Sequence, residues 1–318
     1  MTSEKQRHIG IVQDLSIAGG PLDKDGPHAT TRNPAWYRSN GLRKAARRAT
    51  HERLKKAIVD QSPNARDGSR ALVLAGPPGA GKGRVADTVL GADRDHYVNV
   101  DADDFKKLLL REAVADGSYE SWIKPPEVRD LEAKGERFYP LELASLVHEE
   151  SSRLARELRS EMIDRGTNII VDTVLSDPDT AVALGEQLSE AGYQVTVVDV
   201  EVPFEVSEER IVQRWQHAMQ EAEAGEADAL GGRWVPSAYA RPLFDTEHGR
   251  SKSQDAAARL AESCSCVIRY ERHYTSVEEH RASLREGREA QPVREVAKVR
   301  MKPGGRLEPE QSVGRLSE

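Results

Sequence analysis

From residue 71 onward, short apolar runs alternate with longer stretches in which apolar residues recur at helical spacing. The runs predict buried strands at residues 71–75, 97–100, 168–171, 195–200 and, more weakly, 266–270. The stretches between them predict helices near residues 82–90, 103–115, 141–165, 177–191 and 205–224. Strands that alternate with helices form a parallel sheet covered on both faces. The pattern therefore predicts an α/β, three-layer αβα fold with a mostly parallel sheet of about five strands.

The two ends of the chain lack this pattern. Residues 1–35 are rich in Gly, Pro, Asp and Thr, which predicts a flexible lead-in, and residues 281–318 are polar, which predicts a disordered tail. One domain over residues 36–280 is expected between them. Residues 36–60 predict a basic helix, either with a solvated face or with a surface for an acidic partner.

The composition excludes several classes of protein. A net charge of -7 argues against a protein that binds nucleic acid over a whole basic face. No apolar run is long enough to span a bilayer, and the N-terminus lacks the apolar core of a secretory signal. Cys264 and Cys266 are separated by one residue, a loop that we expect to be too short for a structural disulfide. These features together predict a protein of the reducing cytoplasm.

A glycine-rich loop follows the first predicted strand and precedes a predicted helix. It consists of Gly76, Pro77, Pro78, Gly79, Ala80, Gly81, Lys82, Gly83 and Arg84. The G-x-x-x-x-G-K spacing is typical of a phosphate-binding loop, in which backbone N–H groups surround phosphate oxygens and the lysine reaches the β- and γ-phosphates. This context predicts ATP binding rather than an ordinary glycine-rich turn.

One position of the loop departs from the common pattern. The Ser or Thr that usually follows the lysine and ligates Mg²⁺ is Gly83 in this chain. The run from Pro78 to Gly83 is similar to the loop of nucleoside monophosphate kinases, which also have glycine there. We therefore expect Mg²⁺ to be held by waters or by other acids, and a GTPase or motor ATPase is disfavoured.

Acidic residues follow the second and third predicted strands. Asp101, Asp103 and Asp104 follow the second strand, where a carboxylate could orient an acceptor hydroxyl and take its proton. Alternatively, Asp101 or Asp103 caps the next helix. Asp172 ends the third strand in the pattern of an acid that holds Mg²⁺ through water, although a capping or turn role also fits.

The helix after the fourth strand carries two arginines on one face, Arg210 and Arg214. Phosphoryl transfer needs positive charge near the γ-phosphate, and the glycine-rich loop over residues 225–232 could act as a lid. On spacing alone, such arginines are more often members of surface ion pairs.

Taken in order, several motifs make the chain resemble the zeta toxin family of bacterial P-loop kinases over roughly residues 70–275. The motifs are GPPGAGKG, VDADDFK, VHEESSRLARELRSEMIDRGTNIIVDT, EAGYQVTVVDVEVP, ERIVQRW and GGRWVP. The resemblance implies ATP and Mg²⁺ as cofactors. It also implies a UDP-linked N-acetylamino sugar as the acceptor, phosphorylated at its 3′-hydroxyl, and a small helical antitoxin as an inhibitory partner.

The resemblance also implies roles for individual residues. Lys82 matches the phosphate-loop lysine, and Asp103 matches the carboxylate that activates the acceptor hydroxyl, with Asp101 as its neighbour. Arg214 and Arg233 match two arginines that contact ATP phosphates.

Other matches are less regular. Asp172 and Thr173 are shifted by one position from the acid, glycine and threonine that the family tends to have, and substrate contacts are expected there. Glu157 corresponds to a substrate-contacting acid only with a gap in the alignment. His148 and Glu149 match a His-Glu pair without an assigned role. The segment over residues 116–140 is either a substrate-selecting insertion or a surface loop.

Two further functions remain open from the residues. One is a kinase of a polynucleotide 5′-end or another small metabolite, although the acidic net charge disfavours nucleic acid. The other is a non-catalytic nucleotide-binding module, which Gly83 favours slightly. The presence of Lys82, Asp103 and the arginines disfavours such a module, because a binding protein needs no general base.

Overall fold

The computed structural model describes residues 3–226, 229–235, 237–302 and 304–310. Its helices are α1 (Ser3–Leu15), α2 (Ala45–Asp60), α3 (Lys82–Leu90), α4 (Ala102–Ala115), α5 (Pro126–Glu132), α6 (His148–Arg165), α7 (Pro178–Glu190), α8 (Phe204–Glu223), α9 (Ser237–Ala240), α10 (Lys252–Ser263) and α11 (Val277–Glu286). Its strands are β1 (Arg70–Ala75), β2 (Val98–Asp101), β3 (Ile169–Asp172), β4 (Gln194–Glu201), β5 (Val267–Tyr274), β6 (Val293–Arg300) and β7 (Leu307–Pro309). Short 3₁₀ helices cover Thr30–Arg32, Gly91–His96, Pro140–Val147 and Arg241–Phe244, and a π-helical turn covers Tyr119–Ile123. Within these residues, no helix combines the length and apolar character needed to cross a membrane.

The strands form one sheet in the order β2-β3-β1-β4-β5-β6-β7. The pairs β1–β3, β1–β4 and β4–β5 are parallel, whereas β5–β6 and β6–β7 are antiparallel. This topology confirms the predicted α/β fold with a mostly parallel sheet. The five predicted strands correspond to β1 to β5, and the two antiparallel strands at one edge extend the sheet beyond the prediction.

The central strand β1 is buried on both faces. Successive residues of a strand point to opposite sides, and every residue from Ala71 to Ala75 is buried. Leu72 and Leu74 pack in one apolar cluster with Val85 and Ala86 of α3. A continuous apolar run without alternation is typical of such a strand, which is why it can be recognised in the sequence.

The chain is divided into two compact units, where the sequence predicted one domain over residues 36–280. The helical unit comprises Met1–Gln61, Asp101–Leu158 and Glu209–Ser237. The sheet unit comprises Ser62–Val100, Arg159–Glu208 and Ala238–Glu318. Each unit is assembled from three separate stretches of chain, a division that local sequence patterns do not reveal.

Residues 3–35 are ordered, which corrects the prediction of a flexible lead-in for them, whereas residues 1 and 2 lie outside the described part of the chain. Helix α1 begins at Ser3, and its residues Ile9, Val12 and Leu15 are buried in the helical unit together with Leu22. These apolar residues recur every three residues and form one helix face, but the polar residues between them obscure the pattern.

Residues 281–302 and 304–310 are also ordered, which corrects the prediction of a disordered tail for them, whereas Pro303 lies outside the described residues. Helix α11 continues to Glu286, and β6 and β7 extend the sheet beyond β5. Strand β6 reads VREVAKVR and has no fully buried residue. Backbone pairing with β5 holds it in the sheet, so the sequence lacks the apolar run by which buried strands are recognised. The remaining residues of the predicted tail, 311–318, lie outside the described part of the chain.

The basic residues around α2 meet acids of α6 within the helical unit. Glu150 is fully buried and accepts two hydrogen bonds of 2.6 Å from the Arg47 guanidinium. The same carboxylate lies 2.6 Å from Nε2 of His51 and accepts a 2.7 Å hydrogen bond from the Tyr37 hydroxyl. Burial alone would raise the pKa of Glu150, but His51 and Arg47 outweigh burial and hold it well below its usual range. The acidic surface that the basic segment binds is therefore part of the same chain.

The two cysteines form a disulfide, Cys264–Cys266, so the expectation of unpaired thiols is wrong. The chain turns between the end of α10 at Ser263 and the start of β5 at Val267. The turn leaves the two Cα atoms 5.3 Å apart, within the range that a disulfide spans.

Replacing Glu150 tests the buried ion cluster. Glu150→Ala leaves Arg47 and His51 buried without their anion, so we expect a loss of about 3–5 kcal/mol in unfolding free energy. Urea denaturation of the full chain measures this loss. The matched control is Glu149→Ala, which removes a partly exposed pair with Lys24 and a 4.0 Å contact with Nε2 of His148, and is expected to lose less than about 1 kcal/mol. If both variants lose equally little unfolding free energy, the structural role of Glu150 is contradicted.

Candidate active site

The glycine-rich loop connects β1 to α3 in the sheet unit, as predicted. Gly76, Gly79 and Gly81 have φ angles of 147°, 76° and 93°, a region that residues with a Cβ rarely adopt. A Cβ on Gly76 would also collide with the Val200 carbonyl of β4. The glycines are therefore required by the backbone path of the loop and by its closeness to the neighbouring strand.

Lys82 is the first residue of α3, and its ammonium group lies over the loop. Its Nζ donates a 3.1 Å hydrogen bond to the Gly76 carbonyl and lies 3.6 Å from Oδ1 of Asp172. The predicted loop lysine and the predicted acid at the end of β3 are thus brought together. An ammonium group held at a helix N-terminus beside such a loop suits a polyphosphate.

Gly83 and Arg84 contribute differently to the loop. A Cβ on Gly83 would meet no atom within 4 Å, so local packing does not require glycine there. The Arg84 side chain donates a 3.2 Å hydrogen bond to the Ala290 carbonyl and pairs with Glu289 at 2.6 Å. Arg84 therefore attaches the start of α3 to the connection between α11 and β6.

The turn after β3 supports the loop. The Val174 carbonyl accepts a 3.3 Å hydrogen bond from the Gly76 N–H and a 2.5 Å hydrogen bond from the Ser253 hydroxyl. Thr173 accepts a 3.2 Å hydrogen bond from the Leu175 N–H through its side chain, and Leu175 has a φ of 49° although it is buried. Thr173 thus holds a strained turn directly after β3.

Asp103 is the centre of a second group, in the helical unit. Its Oδ1 accepts hydrogen bonds from Nη1 of Arg233 at 2.6 Å and from Nζ of Lys106 at 2.9 Å. Asp101 caps α4, because its side chain accepts the Asp103 N–H at 2.8 Å. The alternative that Asp101 caps the helix is confirmed, and the structure brings the predicted pair Asp103 and Arg233 into contact.

The charges around Asp103 determine its ionisation. Burial would raise its pKa, but Arg233, Lys106 and Arg214 together outweigh burial and hold the pKa well below its usual range. Lys106 is buried, and burial together with Arg233 lowers its own pKa. Asp103 is therefore a carboxylate at neutral pH, fixed in place by cations from two sides.

His148, at the start of α6, is affected by the same charges. Burial, followed by the positive charge of Lys106, lowers its pKa to about 4. The imidazole is therefore neutral at pH 7 and able to accept or donate a hydrogen bond. Its neighbour Glu149 instead pairs with Lys24 at 2.9 Å.

Glu157 makes a structural ion pair. Its two carboxylate oxygens accept hydrogen bonds of 2.8 Å from the two terminal nitrogens of Arg43. This bidentate pair joins α6 to the segment before α2. A substrate contact by Glu157 would have to share the carboxylate with Arg43.

Sequence reasoning missed three residues that support these groups. Lys106 lies three residues after Asp103 on α4, a spacing that is visible in the sequence and places the two side chains on one helix face. Ser207 donates a 2.7 Å hydrogen bond to the Pro78 carbonyl of the glycine-rich loop, and Ser253 supports the turn after β3. The two serines act over long sequence separations, and nothing local in the sequence marks them.

Asp101 and Asp172 were predicted to help hold Mg²⁺, and a site with so few protein ligands is usual for this ion. Among the described residues, no group of three or more His, Cys, Asp or Glu side chains is arranged to hold a metal. Mg²⁺ usually binds through one or two carboxylates, several waters and substrate phosphates rather than an all-protein cage. Asp172, beside Lys82 at the loop, suits such a site, whereas Asp101 already uses Oδ1 as a helix cap.

The zeta toxin family model matches residues 55–122 and 123–264, which is more than half of the chain. The chain therefore belongs to the zeta toxin family of P-loop kinases. A search of curated proteins finds no significant match.

Solved structures that align with this chain share little sequence with it. A chain in the crystal structure of AvrRxo1-ORF1:AvrRxo1-ORF2 with sulphate ions aligns with a TM-score of 0.56 and 19% identity, covering 86% of this chain and 72% of that one. The native AvrRxo1-ORF1:-ORF2 complex also gives a TM-score of 0.56 and 19% identity, with coverages of 93% and 76%. A chain of the PezAT toxin-antitoxin system of Streptococcus pneumoniae gives a TM-score of 0.45 and 13% identity, with coverages of 70% and 75%. The AvrRxo1 structures have the same mixed α/β architecture.

A buried pair of acids lies on β4 of the sheet unit. Asp199 is fully buried, and its carboxyl group shares a side-chain hydrogen bond with that of Glu201. Glu201 is also fully buried and accepts hydrogen bonds from the N–H and the hydroxyl of Ser251, the cap of α10, at 2.8 and 2.5 Å. Burial, and next the charge of Glu201, raise the pKa of Asp199 well above its usual range.

Removing the ionisable group at Asp199 tests this shift. A raised pKa means that the folded chain holds a proton that the unfolded chain loses near pH 4, so stability falls as pH rises through the interval between the two pKa values. We expect Asp199→Asn to gain stability relative to the wild type from pH 4 to pH 7, by up to about 1.4 kcal/mol per pH unit. Urea unfolding at several pH values measures the gain, with the exposed Glu186→Gln on α7 as control. If the difference in unfolding free energy between Asp199→Asn and the wild type does not vary with pH, the raised pKa of Asp199 is contradicted.

Proposed function

We propose that this protein is an ATP-dependent phosphotransferase that moves the γ-phosphate to a hydroxyl of a small substrate, most specifically a UDP-N-acetyl amino sugar. The observation that carries the proposal is the strand–loop–helix at residues 70–90, with Lys82 lying over the loop and paired with Asp172. In a zeta toxin family chain, this arrangement suits the triphosphate of ATP.

On the nucleotide side, each group has a defined chemical task. Backbone N–H groups of the loop and the N-terminus of α3 would bind phosphate oxygens, and Lys82 would exchange its contact with Gly76 for the β- and γ-phosphates. Mg²⁺, with Asp172 and Asp101 as its proposed acids, would offset the charge of the phosphates.

On the acceptor side, Asp103 would orient the hydroxyl and receive its proton. Its lowered pKa makes it a weak base in the resting protein, but this suits a loose transition state, in which the acceptor needs orientation more than early deprotonation. Arg214 and Arg233 would stabilise the charge on the transferring phosphoryl group. Arg233 pairs with Asp103 in the resting protein, so we propose that it shifts its contact towards phosphate when ATP binds.

The acceptor and a protein partner are supported by family membership alone. The neutral imidazole of His148, next to the charges around Asp103, adds a group that can recognise a substrate hydroxyl or amide. Thr173 and Glu157 remain proposed substrate contacts. A small helical antitoxin as an inhibitor is proposed on the same basis.

Two substitutions test the assignment of roles. We expect Lys82→Ala and Asp103→Asn each to lower kcat for phosphoryl transfer by about 10² or more, because each removes charge stabilisation or the proton acceptor. The matched control is Lys107→Ala, which removes an exposed lysine of α4 that pairs with Asp104. Wild-type rates in Lys82→Ala or Asp103→Asn would contradict the site.

The acceptor is tested with γ-labelled ATP and a panel of UDP-sugars, nucleosides, small metabolites and 5′-hydroxyl oligonucleotides. We expect label on a UDP-N-acetyl amino sugar. Label on an oligonucleotide would identify a polynucleotide kinase instead, and absence of transfer to any acceptor, with ATP still bound, would favour a nucleotide-binding module.

A further inference from the structure

Helix α1 precedes the segment that matches the family model, yet it is tightly bound within the helical unit. Its central residue, His8, is 8% exposed and contacts two carboxylates. Its Nε2 lies 2.8 Å from Glu142 Oε1, and its Nδ1 lies 3.3 Å from Glu136 Oε2. Burial lowers the pKa of His8, but Glu142 and Glu136 outweigh burial and raise it, which favours the imidazolium.

The same histidine contacts the helix that carries Arg214. The His8 ring stacks on the ring of Trp215, with centroids 6.0 Å apart and planes at 21°. Trp215 is 1% exposed, and its Nε1 donates a 3.2 Å hydrogen bond to Glu142, the carboxylate that His8 also contacts. Glu142 thus joins α1 to α8 at the residue next to Arg214.

Trp215 in turn contacts the segment that carries Arg233. Trp234 packs edge-on against Trp215, with ring centroids 6.0 Å apart and planes at 85°. Ile9 of α1 belongs to the same apolar cluster as Trp215, and Trp234 packs against that cluster. A continuous set of contacts therefore runs from α1 to the residue next to Arg233.

The segment before Arg233 lies close to Trp215 and Tyr139. A Cβ on Gly232 would collide with the Trp215 carbonyl, and a Cβ on Gly231 would collide with the Tyr139 side chain. The Leu230 carbonyl accepts a 2.9 Å hydrogen bond from the Leu141 N–H. The backbone just before Arg233 thus contacts both Trp215 and the segment around Glu142.

We propose that α1 is a positioning element for the active-site arginines, with His8 holding Trp215 and Glu142 so that Trp234 keeps Arg233 on Asp103. His8 touches neither Asp103 nor Arg233 among the contacts of the described residues, so its role is positioning. The expected effect on catalysis rests on the proposed function, whereas the effect on Asp103 is a property of the protein without substrate.

The pKa of the Asp103 carboxyl group reports on this positioning directly, because Arg233 is the foremost of the cations that lower it. It can be measured in the full chain by ¹³C NMR titration with labelled aspartate. We expect His8→Ala to raise this pKa towards the ordinary value, and Trp234→Ala, which breaks the same contacts from the other end, to raise it as well. The control is Gln6→Ala, an exposed position on α1, which should leave the pKa at its wild-type value.

Kinetics provide the second readout. A displaced Arg233 should lower kcat by about 10-fold to 100-fold in His8→Ala, the scale expected for misplaced catalytic groups. The KM for ATP should stay within about twofold, since the glycine-rich loop is unchanged. His8→Gln keeps a donor for Glu142 and should recover part of kcat, which a purely steric role for α1 does not predict.

The outcomes separate the two proposals. A wild-type Asp103 pKa in folded His8→Ala would overturn the positioning role. If His8→Ala does not fold, a wild-type Asp103 pKa in Trp234→Ala would overturn it. If wild-type protein transfers no phosphate while both variants raise the Asp103 pKa, the positioning role stands and the proposed function fails.

Discussion

The ion pair between Asp103 and Arg233 is the interaction on which the helical unit's candidate site depends. A single carboxylate oxygen accepts hydrogen bonds from Arg233 and Lys106, and the surrounding cations offset the cost of burying it. The pair also joins chain segments 130 residues apart, the start of α4 and the segment after α8. The Asp103 side chain is 32% exposed, and without these cations its partial burial would raise its pKa and weaken its hold on one orientation.

The glycine-rich loop of the sheet unit depends on a different kind of constraint. Its shape is determined by backbone angles that only glycine adopts easily and by a strand neighbour that excludes any Cβ at Gly76. Buried hydroxyls of Ser207 and Ser253 then hold the loop and the adjacent turn from two helices. A loop supported in this way can present N–H groups to phosphate without reorganising, which is what electrostatic stabilisation of a transferring phosphoryl group requires.

Strands β1 to β5 could be predicted because buried parallel strands appear as short apolar runs, and the loop could be predicted because its spacing and context are specific. Strand β6 could not, since backbone pairing with β5 rather than apolar burial holds it. The ordered α1 was missed because most of its other residues are polar, which hides the apolar face formed by Ile9, Val12 and Leu15. The pairing of Arg47 with Glu150 depends on contacts 103 residues apart, which no local pattern contains.

The residues of the candidate site likewise divide into those that sequence motifs mark and those that only contacts in the fold identify. The nucleotide loop, Asp103 and Arg233 are marked by motifs of a recognisable family, while Ser207 and His8 act through neighbours that only the fold reveals. A double-mutant cycle on kcat/KM with Asp103→Asn and Arg233→Met tests most directly whether the acid and the arginine work as one unit. We expect the double variant to lose no more than about threefold beyond the worse single variant, because either change disables the pair. If the fold-losses in kcat/KM of the two single variants multiply in the double variant, Asp103 and Arg233 act independently, and the claim that they work as one unit is wrong.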